Sequence, residues 1–341
     1  MKHLAVVGAS GAVGEVMTRL LEERRFPLAS IKFLASERSV GRSVTFRGER
    51  YAVELLRAEA FEGVDIVLSS TPASISRTFS PQAACAGAVV VDNSSAFRMD
   101  AEVPLVVPEV NPGDVERHRG IIANPNCSTI QMVVALKPLH DRFKIKRVVV
   151  STYQAVSGAG QKGIDELRAQ AAALIEGRPL PSPSKFSHAI AFNCVPRIDD
   201  FTEGGYTKEE MKMVNETRKI MGDASIAVEP TCVRVPVYNA HSESIMIECE
   251  RPITPESARA AWVSAPGLRV LDDPSSGVYP VPTEVSGQDD VFVGRIRQAL
   301  SSDRALSFWC VADNLRKGAA TNAVQIAEEL IKRDAFATAR R

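Results

Sequence analysis

The chain is 341 residues long, and its 41 lysines and arginines balance its 41 aspartates and glutamates, so its formal net charge at pH 7 is zero. This length exceeds what one hydrophobic core usually covers, which predicts two domains. The balanced charge excludes the basic surface that a nucleic-acid-binding protein or a binder of anionic membranes would carry. No stretch of the sequence approaches the roughly 18 apolar residues of a transmembrane helix.

The six cysteines show no paired C-x-x-C spacing. This argues against a zinc site and against a disulfide framework. The short apolar run at the N-terminus is followed by glycines and a helical pattern, so it is interpreted as a first strand and not as a signal peptide. We therefore expect a protein of the reducing cytoplasm that binds no metal.

Strand and helix patterns alternate in the first part of the chain. Strands are predicted at residues 4–9, 31–36, 65–70, 88–95 and 105–110, with one helix ending before Pro27 and another ending at Cys85. This βαβ rhythm is typical of an α/β fold in which helices cover both faces of a doubly wound parallel sheet.

Beyond residue 126 the strands follow one another without regular crossover helices. Strands are predicted at residues 146–158, 231–237, 243–250, 290–300 and 306–314, and helices at 163–176 and 207–222. This order predicts an α+β second region. An amphipathic helix closes the chain, and we expect it to pack back on the first domain. The predicted domains are residues 1–126 with 314–341, and residues 127–313.

The turn between the first strand and the first helix contains a glycine triplet, G-x-x-G-x-x-G. Glycines permit a tight turn and let a pyrophosphate approach the backbone, while the helix N-terminus supplies positive potential. A plain strand-to-helix turn remains the alternative, but the position directly after strand one favours a dinucleotide site. The residues predicted to bind the cofactor here are Gly8, Ser10, Gly11, Ala12, Val13 and Gly14.

The end of the second strand distinguishes the two nicotinamide cofactors. An NAD site usually places an acid there for the ribose 2′-hydroxyl, whereas an NADP site uses arginine and hydroxyl groups for the 2′-phosphate. The chain offers Ser36, Arg38 and Ser39, with Glu37 as an opposing acid. Arg38 flanked by hydroxyl groups favours NADP.

Cys127 is set in a run of small polar residues, ANPNCST, that leads directly into an apolar helical stretch. A thiolate at a helix N-terminus is stabilised by exposed N–H groups and by the helix dipole. The sequence therefore predicts a nucleophile. The alternative is a small buried residue at a helix start, as many cysteines are.

Among the five histidines, His241 is the candidate partner of this thiol, because it lies in RVPVYNAHSES at a predicted strand break. The strand is expected to stop at Asn239 and to resume after Ser242. A structural hydrogen-bonding role is the alternative for such a histidine. His118 and His140 lie in charged segments that are typical of the surface.

Two arginines lie at or beyond predicted strand ends, Arg98 in DNSSAFRMD and Arg234 in RVPV. A guanidinium group there suits bidentate binding of a carboxylate or phosphate. A solvated surface charge is the alternative, which the spacing alone does not exclude.

Several segments together resemble the aspartate-semialdehyde dehydrogenase family over nearly the whole length. They are GASGAVG, VDNSSAFRMD, NPNCST, QAVSGAG, EEMKM, RVPVYNAHSE and VGRIRQ. NPNCST followed by RVPV-x-x-x-HSE is far more specific than the glycine loop. The resemblance implies a Rossmann-type domain completed by the C-terminal helix, plus an α+β domain for catalysis and dimerisation. One mild departure is Ala240, where glycine is common in the family, and it is not expected to disturb the imidazole.

The activity implied by this resemblance is the NADPH-dependent reductive dephosphorylation of L-aspartyl-4-phosphate to L-aspartate semialdehyde. The reaction lies on the route to lysine, threonine, methionine, isoleucine and diaminopimelate. The resemblance also implies a homodimer, and it leaves open whether two dimers associate. No nucleic-acid or membrane partner is expected.

The resemblance assigns a role to each candidate residue. Cys127 would form a thioester, Gln154 would orient the acyl group, and His241 would act as general acid and base. The substrate would be held by Arg98, Asn126 and Lys212 at the phosphate, by Arg234 at the α-carboxylate and by Glu209 at the ammonium. Ser157, Gly158 and Asn314 would contact the cofactor.

Three alternatives are weighed against this activity. N-acetyl-glutamyl-phosphate reductase uses the same thioester chemistry, but its substrate has no ammonium, so the pair Glu209 and Lys212 favours the free amino acid. A dehydrogenase acting on a sugar aldehyde with inorganic phosphate is more distant. A non-catalytic NADP-binding scaffold would be expected to lack Cys127 or His241, and both are present.

Overall fold

A computed structural model of the chain describes residues 1–336. The chain forms two compact units, Met1–Pro125 together with the segment from Ala319 onward, and Asn126–Gly318. The domain ranges expected from the sequence were residues 1–126 with 314–341, and 127–313; residues 337–341 of the first range lie outside the described residues.

The first unit is built on a seven-stranded sheet flanked by helices. Its strands are β1 (Lys2–Val7), β2 (Leu28–Ala35), β3 (Ser43–Phe46), β4 (Glu49–Leu55), β5 (Ile66–Ser69), β6 (Val89–Asp92) and β7 (Ile121–Ala123), and its helices are α1 (Ala12–Glu23), α2 (Ala73–Cys85) and the C-terminal helix Thr321–Lys332. The strand order is β3-β4-β2-β1-β5-β6-β7, and every pair is parallel except the hairpin β3–β4. All residues of β5 and β6 are buried, as expected of a parallel sheet covered on both faces.

The C-terminal helix is part of this first unit. Its apolar stripe, which includes Val324, Ala327 and Leu330, is fully buried. Arg24 at the end of α1 forms an ion pair of 2.6 Å with Glu328. The helix thus covers one side of the sheet through apolar packing supplemented by charge pairing.

The strand predicted at residues 105–110 is wrong. Leu105 forms only an isolated bridge with Ala123, although the segment's apolar side chains are buried. Pro108 has no N–H to donate to a ladder. The Asn111 side chain accepts from the Val107 N–H at 2.9 Å and donates to the Leu105 carbonyl at 2.9 Å, which bends the chain into a turn.

The second unit is built on a six-stranded mixed sheet. Its helices are α3 (Cys127–Phe143), α4 (Gln161–Ile175), α5 (Lys208–Met221), α6 (Pro255–Val263) and α7 (Pro282–Val285), and its strands are β8 (Ile145–Gln154), β9 (Ala227–Arg234), β10 (His241–Cys249), β11 (Leu268–Val270), β12 (Val291–Gln298) and β13 (Ala305–Ala312). The strand order is β11-β12-β13-β10-β8-β9. The pairs β8–β9 and β11–β12 are parallel and the others are antiparallel.

Strand β10 begins earlier than the sequence indicates. The predicted break extended from Asn239 through Ser242, but His241 already pairs with Ala312 across the sheet. The irregular part of the chain ends at Ala240, whose φ of 69° lies in the left-handed region. His241 and Ser242 were expected to lie outside the ladder, yet both are paired within it and buried.

Two further histidines are buried, contrary to the expectation from their charged surroundings. His118 is 1% exposed, its Nε2 lies 2.8 Å from the Ala335 carbonyl, and its Nδ1 accepts from the Gly120 N–H. His140 is also buried, and its Nε2 lies 3.5 Å from an Asp223 carboxylate oxygen. In both rings Nε2 has a polar partner. Within residues 1–336, no helix has the length and apolar character needed to cross a membrane.

Candidate active site

Three strands of the second sheet bring candidate side chains to one edge. β8 ends at Gln154 and the parallel strand β9 ends at Arg234, and these two residues lie opposite each other in the ladder. β10 runs the other way and begins at His241, and its second residue, Ser242, pairs with Tyr153. The carboxyl ends of β8 and β9 and the amino end of β10 therefore lie at the same edge of the sheet.

Cys127 is the first residue of α3. The preceding residue, Asn126, caps the helix, and its Oδ1 accepts from the Ser128 and Thr129 N–H groups at 3.0 and 3.3 Å. Cys127 is partly exposed, whereas the three cysteines of the sheet, Cys232, Cys249 and Cys310, are buried. A thiolate at this position is accessible to a substrate and is stabilised by the positive end of the helix dipole.

Glu209 connects the helix cap to the end of β8. Its Oε1 accepts from Asn126 Nδ2 at 2.9 Å and from Gln154 Nε2 at 3.1 Å, and its Oε2 accepts from Lys212 Nζ at 3.0 Å. The Gln154 amide also donates to the Ser128 hydroxyl. Residues separated by more than 80 positions thus form one polar network around the first turn of α3.

The charge of this network is set by competition between burial and pairing. Burial favours the neutral form of Glu209, but Lys212 and the two amide donors outweigh it and lower the pKa of Glu209 to about 2. Burial likewise opposes the charge of Lys212, and Glu209 and Asp199 raise the pKa of Lys212 above its usual value. Both groups are therefore charged at neutral pH, and they form an ion pair beside the cap of the helix that begins at Cys127.

Two acids of this network were missed from the sequence. Asp199 accepts from Lys212 Nζ at 2.9 Å, and Glu216 accepts from the Asn126 N–H at 2.7 Å. Glu216 could have been found, because Glu209, Lys212 and Glu216 recur at helical spacing on one face of α5. Asp199 lies in an irregular segment, where the sequence carries no such periodic signal.

His241 is completely buried and is held in one tautomer. Its Nδ1 accepts from the Ala155 N–H at 3.0 Å, so the proton of the neutral ring is on Nε2. Burial and the nearby Arg234 guanidinium lower the pKa of His241 to about 3. The ring is therefore neutral at physiological pH and has an N–H ready to donate.

Arg234 is anchored by the same residue, Ala155, that orients the histidine. Its Nη1 donates to the Ala155 carbonyl at 2.7 Å, and only 7% of its surface is exposed. Burial lowers the pKa of Arg234, while the charges of Glu209 and Cys127 oppose that shift. A buried guanidinium group presents a planar fork of donors, which is suited to bind an anion.

Two glycines of the second unit keep space open beside the reacting groups. A Cβ at Gly158 would lie 3.0 Å from Arg234 Nη1 and 3.1 Å from His241 Nε2. A Cβ at Gly318 would lie 2.9 Å from the Cβ of Cys127. Gly158 was predicted as a cofactor contact, whereas Gly318 was not predicted, because nothing in its local sequence signals the approach.

The remaining cofactor candidates of this unit, Ser157 and Asn314, are hydrogen-bonded to each other. Asn314 Nδ2 donates to Ser157 Oγ at 2.9 Å, and Asn314 Oδ1 accepts from the Ala240 N–H at 2.9 Å. The Ala240 peptide, which adopts the left-handed conformation, is thus held by a side chain. This contact fixes the chain immediately before His241.

Glu243 follows His241 by two residues and faces the same side of β10. It is fully buried, and it lies opposite Thr152 of β8 and Cys310 of β13. Burial raises the pKa of Glu243 well above its ordinary value, against an opposing effect of Gln131. The neutral form of this carboxyl group is therefore favoured beside the histidine.

The glycine loop of the first unit has the geometry of a phosphate cradle. Gly8 has a φ of +83°, and a Cβ there would lie 2.3 Å from the Ser70 carbonyl oxygen. A Cβ at Gly14 would lie 2.2 Å from the Gly8 carbonyl oxygen. Gly11 caps α1 without a side-chain hydrogen bond, so the N–H groups of the first turn, from Ala12 and Val13 onward, point to an open end.

The residues predicted to recognise the 2′-phosphate follow β2. Ser36 and Arg38 are exposed, Ser39 is half-buried, and the opposing acid Glu37 is exposed as well. Ser39 Oγ lies 3.1 Å from Ser10 Oγ, which joins this segment to the glycine loop. A cation and hydroxyl groups thus lie beside the cradle, a donor set that fits a phosphorylated dinucleotide.

Arg98 lies in the first unit and is 8% exposed. Its Nη2 donates to the Asn93 carbonyl at 3.0 Å, which orients the guanidinium group beyond the end of β6. Throughout residues 1–336, no group of three or more His, Cys, Asp or Glu residues is placed to hold a metal ion.

Comparison with known proteins identifies the family. A family model described as "Semialdehyde dehydrogenase, NAD binding domain" matches residues 3–118, and one described as "Semialdehyde dehydrogenase, dimerisation domain" matches residues 136–317. An aspartate-semialdehyde dehydrogenase of Aquifex aeolicus is 57% identical over 333 residues, covering 97% of this chain and 98% of that protein. The chain belongs to the aspartate-semialdehyde dehydrogenase family.

Solved aspartate-semialdehyde dehydrogenases share the fold. Aspartate semialdehyde dehydrogenase II from Vibrio cholerae, complexed with ASA, is 48% identical with a TM-score of 0.95, over 97% of this chain and 98% of that one. The Candida albicans enzyme with NADP is 25% identical with a TM-score of 0.75, over 98% and 99% of the two chains. The family and fold class predicted from the sequence are confirmed, as are an oxidoreductase and a nicotinamide cofactor.

Proposed function

We propose that this protein catalyses the reductive dephosphorylation of L-aspartyl-4-phosphate to L-aspartate semialdehyde and phosphate, with NADPH as reductant. One observation carries the proposal: Cys127 begins a helix whose cap, Asn126, is hydrogen-bonded to the charged pair of Glu209 and Lys212. The nucleophile and a recognition site for an amino acid are thereby built from the same contacts.

The charges of the site match the head group of the substrate. Arg234 is buried and presents a planar fork of donors, which suits the α-carboxylate. Glu209 is ionised and suits the ammonium. Lys212, Asn126 and, from the first unit, Arg98 are the groups proposed to bind the phosphate. An N-acetylated substrate has no ammonium group to offer Glu209, which disfavours the N-acetylglutamyl analogue.

The first chemical step is acyl transfer to the thiol. The Cys127 thiolate attacks the carbonyl carbon of the acyl phosphate, the C–O bond to phosphate breaks, and the phosphate departs with the electron pair. Gln154, held by Glu209 at 3.1 Å, is the proposed positioning group for the acyl oxygen. The cationic groups stabilise the departing charge.

A bound NADPH supplies the hydride that reduces the thioester. The residues of the chain control the proton at the substrate oxygen. His241 carries its proton on Nε2, which faces the space kept open by Gly158. From there it can hydrogen-bond to the oxyanion that forms, until the carbon–sulfur bond breaks, the Cys127 thiolate leaves with the electron pair and the aldehyde carbonyl forms.

NADP is the proposed cofactor, and residues 1–126 with 314–341 are the proposed cofactor domain. The cradle of Gly8, Gly11 and Gly14 fits a pyrophosphate, and the Arg38 segment fits a 2′-phosphate. Ser157, Gly158 and Asn314 are the proposed contacts of the nicotinamide. Residues 127–313 are the proposed catalytic and dimerisation domain.

The proposed assembly is a homodimer, because residues 136–317 match a dimerisation domain. The cytoplasmic location expected from the cysteine spacing stays a prediction.

The activity is tested by following NADPH oxidation with L-aspartyl-4-phosphate and with N-acetylglutamyl phosphate at equal concentrations. We expect turnover of the first and at most about 1% of that rate with the second, because an N-acetyl group cannot form the charge-assisted hydrogen bond that an ammonium would form with Glu209. A preference for the N-acetylated compound would contradict the proposal.

A further inference from the structure

Residues 184–195 form a segment that we call the strap. It runs from a contact with α4 to the end of β9. It contains neither helix nor strand apart from the single bridge residue Val195. Most of its residues are exposed, but Phe186 is half-buried and Ile190, Ala191 and Val195 are buried. The strap is therefore attached to the unit at a few positions, and two of them, Phe186 and Val195, lie against Arg234.

One attachment is made by a buried acid of α4. Glu166 Oε2 accepts from the N–H groups of Ser184 and Lys185 at 2.9 and 2.6 Å, and from the Ser184 hydroxyl at 2.8 Å. Burial alone would raise the pKa of Glu166, but these donors outweigh it and lower the pKa. The carboxylate thus fixes the backbone immediately before Phe186.

The other attachments follow Phe186. Gln170 Oε1 accepts from the N–H groups of Ile190 and Ala191 at 2.8 and 3.2 Å. Val195 then exchanges two backbone hydrogen bonds with Arg234, at 2.9 and 2.8 Å. The strap is consequently fixed on both sides of Phe186, and its far end is bonded directly to the residue proposed to bind the α-carboxylate.

Phe186 itself faces the Arg234 side chain. The guanidinium carbon lies 5.9 Å from the centroid of the Phe186 ring. The ring also packs closely on α4, because a Cβ at Gly163 would lie 3.1 Å from Phe186 Cζ. A desolvated guanidinium group is stabilised by an aromatic face, and a fixed ring restricts the plane in which its donors can lie.

We propose that Phe186 is a positioning residue that sets the specificity of the site for its α-carboxylate, by holding the Arg234 guanidinium in the plane required for bidentate binding. Ala155 holds Arg234 from one side through its carbonyl at 2.7 Å, and Phe186 holds it through its ring. The strap, with Glu166 and Gln170 as its anchors, keeps the ring in place. This inference rests on the proposed function.

The test uses the full enzyme in the phosphorylating direction, with L-aspartate semialdehyde, inorganic phosphate and NADP as separately varied substrates. We expect Phe186→Leu to raise the KM for the aldehyde by about 3- to 30-fold, the range expected for a partly desolvated cation–π contact. The kcat should change by less than about twofold, and the KM for phosphate should be unchanged. Phe186→Tyr, which retains the aromatic face, should behave like the wild type.

Phe192→Leu is the matched control, because Phe192 belongs to the same strap but is 71% exposed; it should leave all three KM values unchanged. In an Arg234→Lys background, Phe186→Leu should lose most of its effect. An unchanged KM for the aldehyde, or a parallel rise in the KM for phosphate, would overturn the positioning role. A failure of the proposed function is distinguishable, since the wild type itself would then not oxidise L-aspartate semialdehyde.

Discussion

The two candidate sites of the molecule are built from different parts of the chain. In the first unit the cradle is formed by backbone between β1 and α1, within seven consecutive residues, and by glycines that admit no Cβ. In the second unit the site is formed by side chains from α3, α5, β8, β9 and β10, whose pairing brings distant positions together. A backbone site can therefore be recognised locally, whereas a side-chain site depends on tertiary structure.

The largest expected effect is on the side-chain site. Cys127→Ser should lower kcat by at least about three orders of magnitude, because a neutral hydroxyl is a far poorer nucleophile than a thiolate. Steady-state NADPH oxidation measures this, and NADPH binding followed by fluorescence should be retained. Cys194→Ser, at an exposed cysteine, is the control and should be fully active. Substantial activity in Cys127→Ser would exclude the thioester.

The next effect concerns the cofactor site alone. Arg38→Ala should raise the KM for NADPH about tenfold or more and leave the KM for NADH nearly unchanged, because only NADPH carries the 2′-phosphate that the guanidinium group would bind. Arg42→Ala, at another exposed arginine of the same segment, is the control. Equal effects on both cofactors would rule out the NADP assignment.

A smaller effect should result from filling the space beside the nucleophile. Gly318→Ala places a methyl group 2.9 Å from the Cβ of Cys127, so the thiol must shift by a few tenths of an ångström. We expect kcat to fall about tenfold, since misplacing a reacting group by about 1 Å can cost about 100-fold. The KM for NADPH should remain constant. If kcat stayed at the wild-type value, Gly318 would have no role in shaping the site.

The smallest effect is on stability and depends on pH. Glu243 has a raised pKa in the folded state, so its contribution to stability is present below its unfolded pKa and is lost as pH rises towards its folded pKa. Glu243→Gln is uncharged at every pH, so it should stabilise the protein more at pH 8 than at pH 5. Urea denaturation at the two pH values measures this difference.

Glu209 should show the opposite pH dependence, because its pKa is lowered to about 2. Its contribution to stability is present above the unfolded pKa and is lost as pH falls towards 2. The contributions of the two buried acids to stability therefore depend on pH in opposite ways, because Glu209 is paired with Lys212 whereas Glu243 lies opposite Thr152 and Cys310. A Glu243→Gln variant with the wild-type pH dependence would contradict this account.

The elements that the sequence predicted well were those with a strong periodic signal. The helix Ala12–Glu23 and the strand Val291–Gln298 lie within or near their predicted ranges. The hairpin Ser43–Phe46 with Glu49–Leu55 was missed, because its turn is formed by Arg47 and Gly48, both at positive φ. Turns of this kind usually carry asparagine or aspartate before the glycine, so Arg47 and Gly48 do not predict a hairpin.

The candidate site was predicted in its residue types but not in its supporting contacts. Cys127, Gln154, Arg234 and His241 were found through motifs, and three of them meet at one end of the second sheet. The contacts of Glu216 and Gly318 came only from the structure. A motif identifies the groups that carry chemistry. The residues that accept hydrogen bonds from those groups, and the glycines that leave space beside them, are recognised only by their contacts in the folded chain.

The sequence by itself determined the family and located the glycine loop, and it predicted the nucleophile, because each depends on residues adjacent in the chain. Tertiary structure alone decided the protonation of the site. Glu209 is ionised, the neutral form of Glu243 is favoured, and His241 is a neutral Nε2–H tautomer. These states depend on burial and on partners from other strands and helices. No local stretch of the chain encodes either of them.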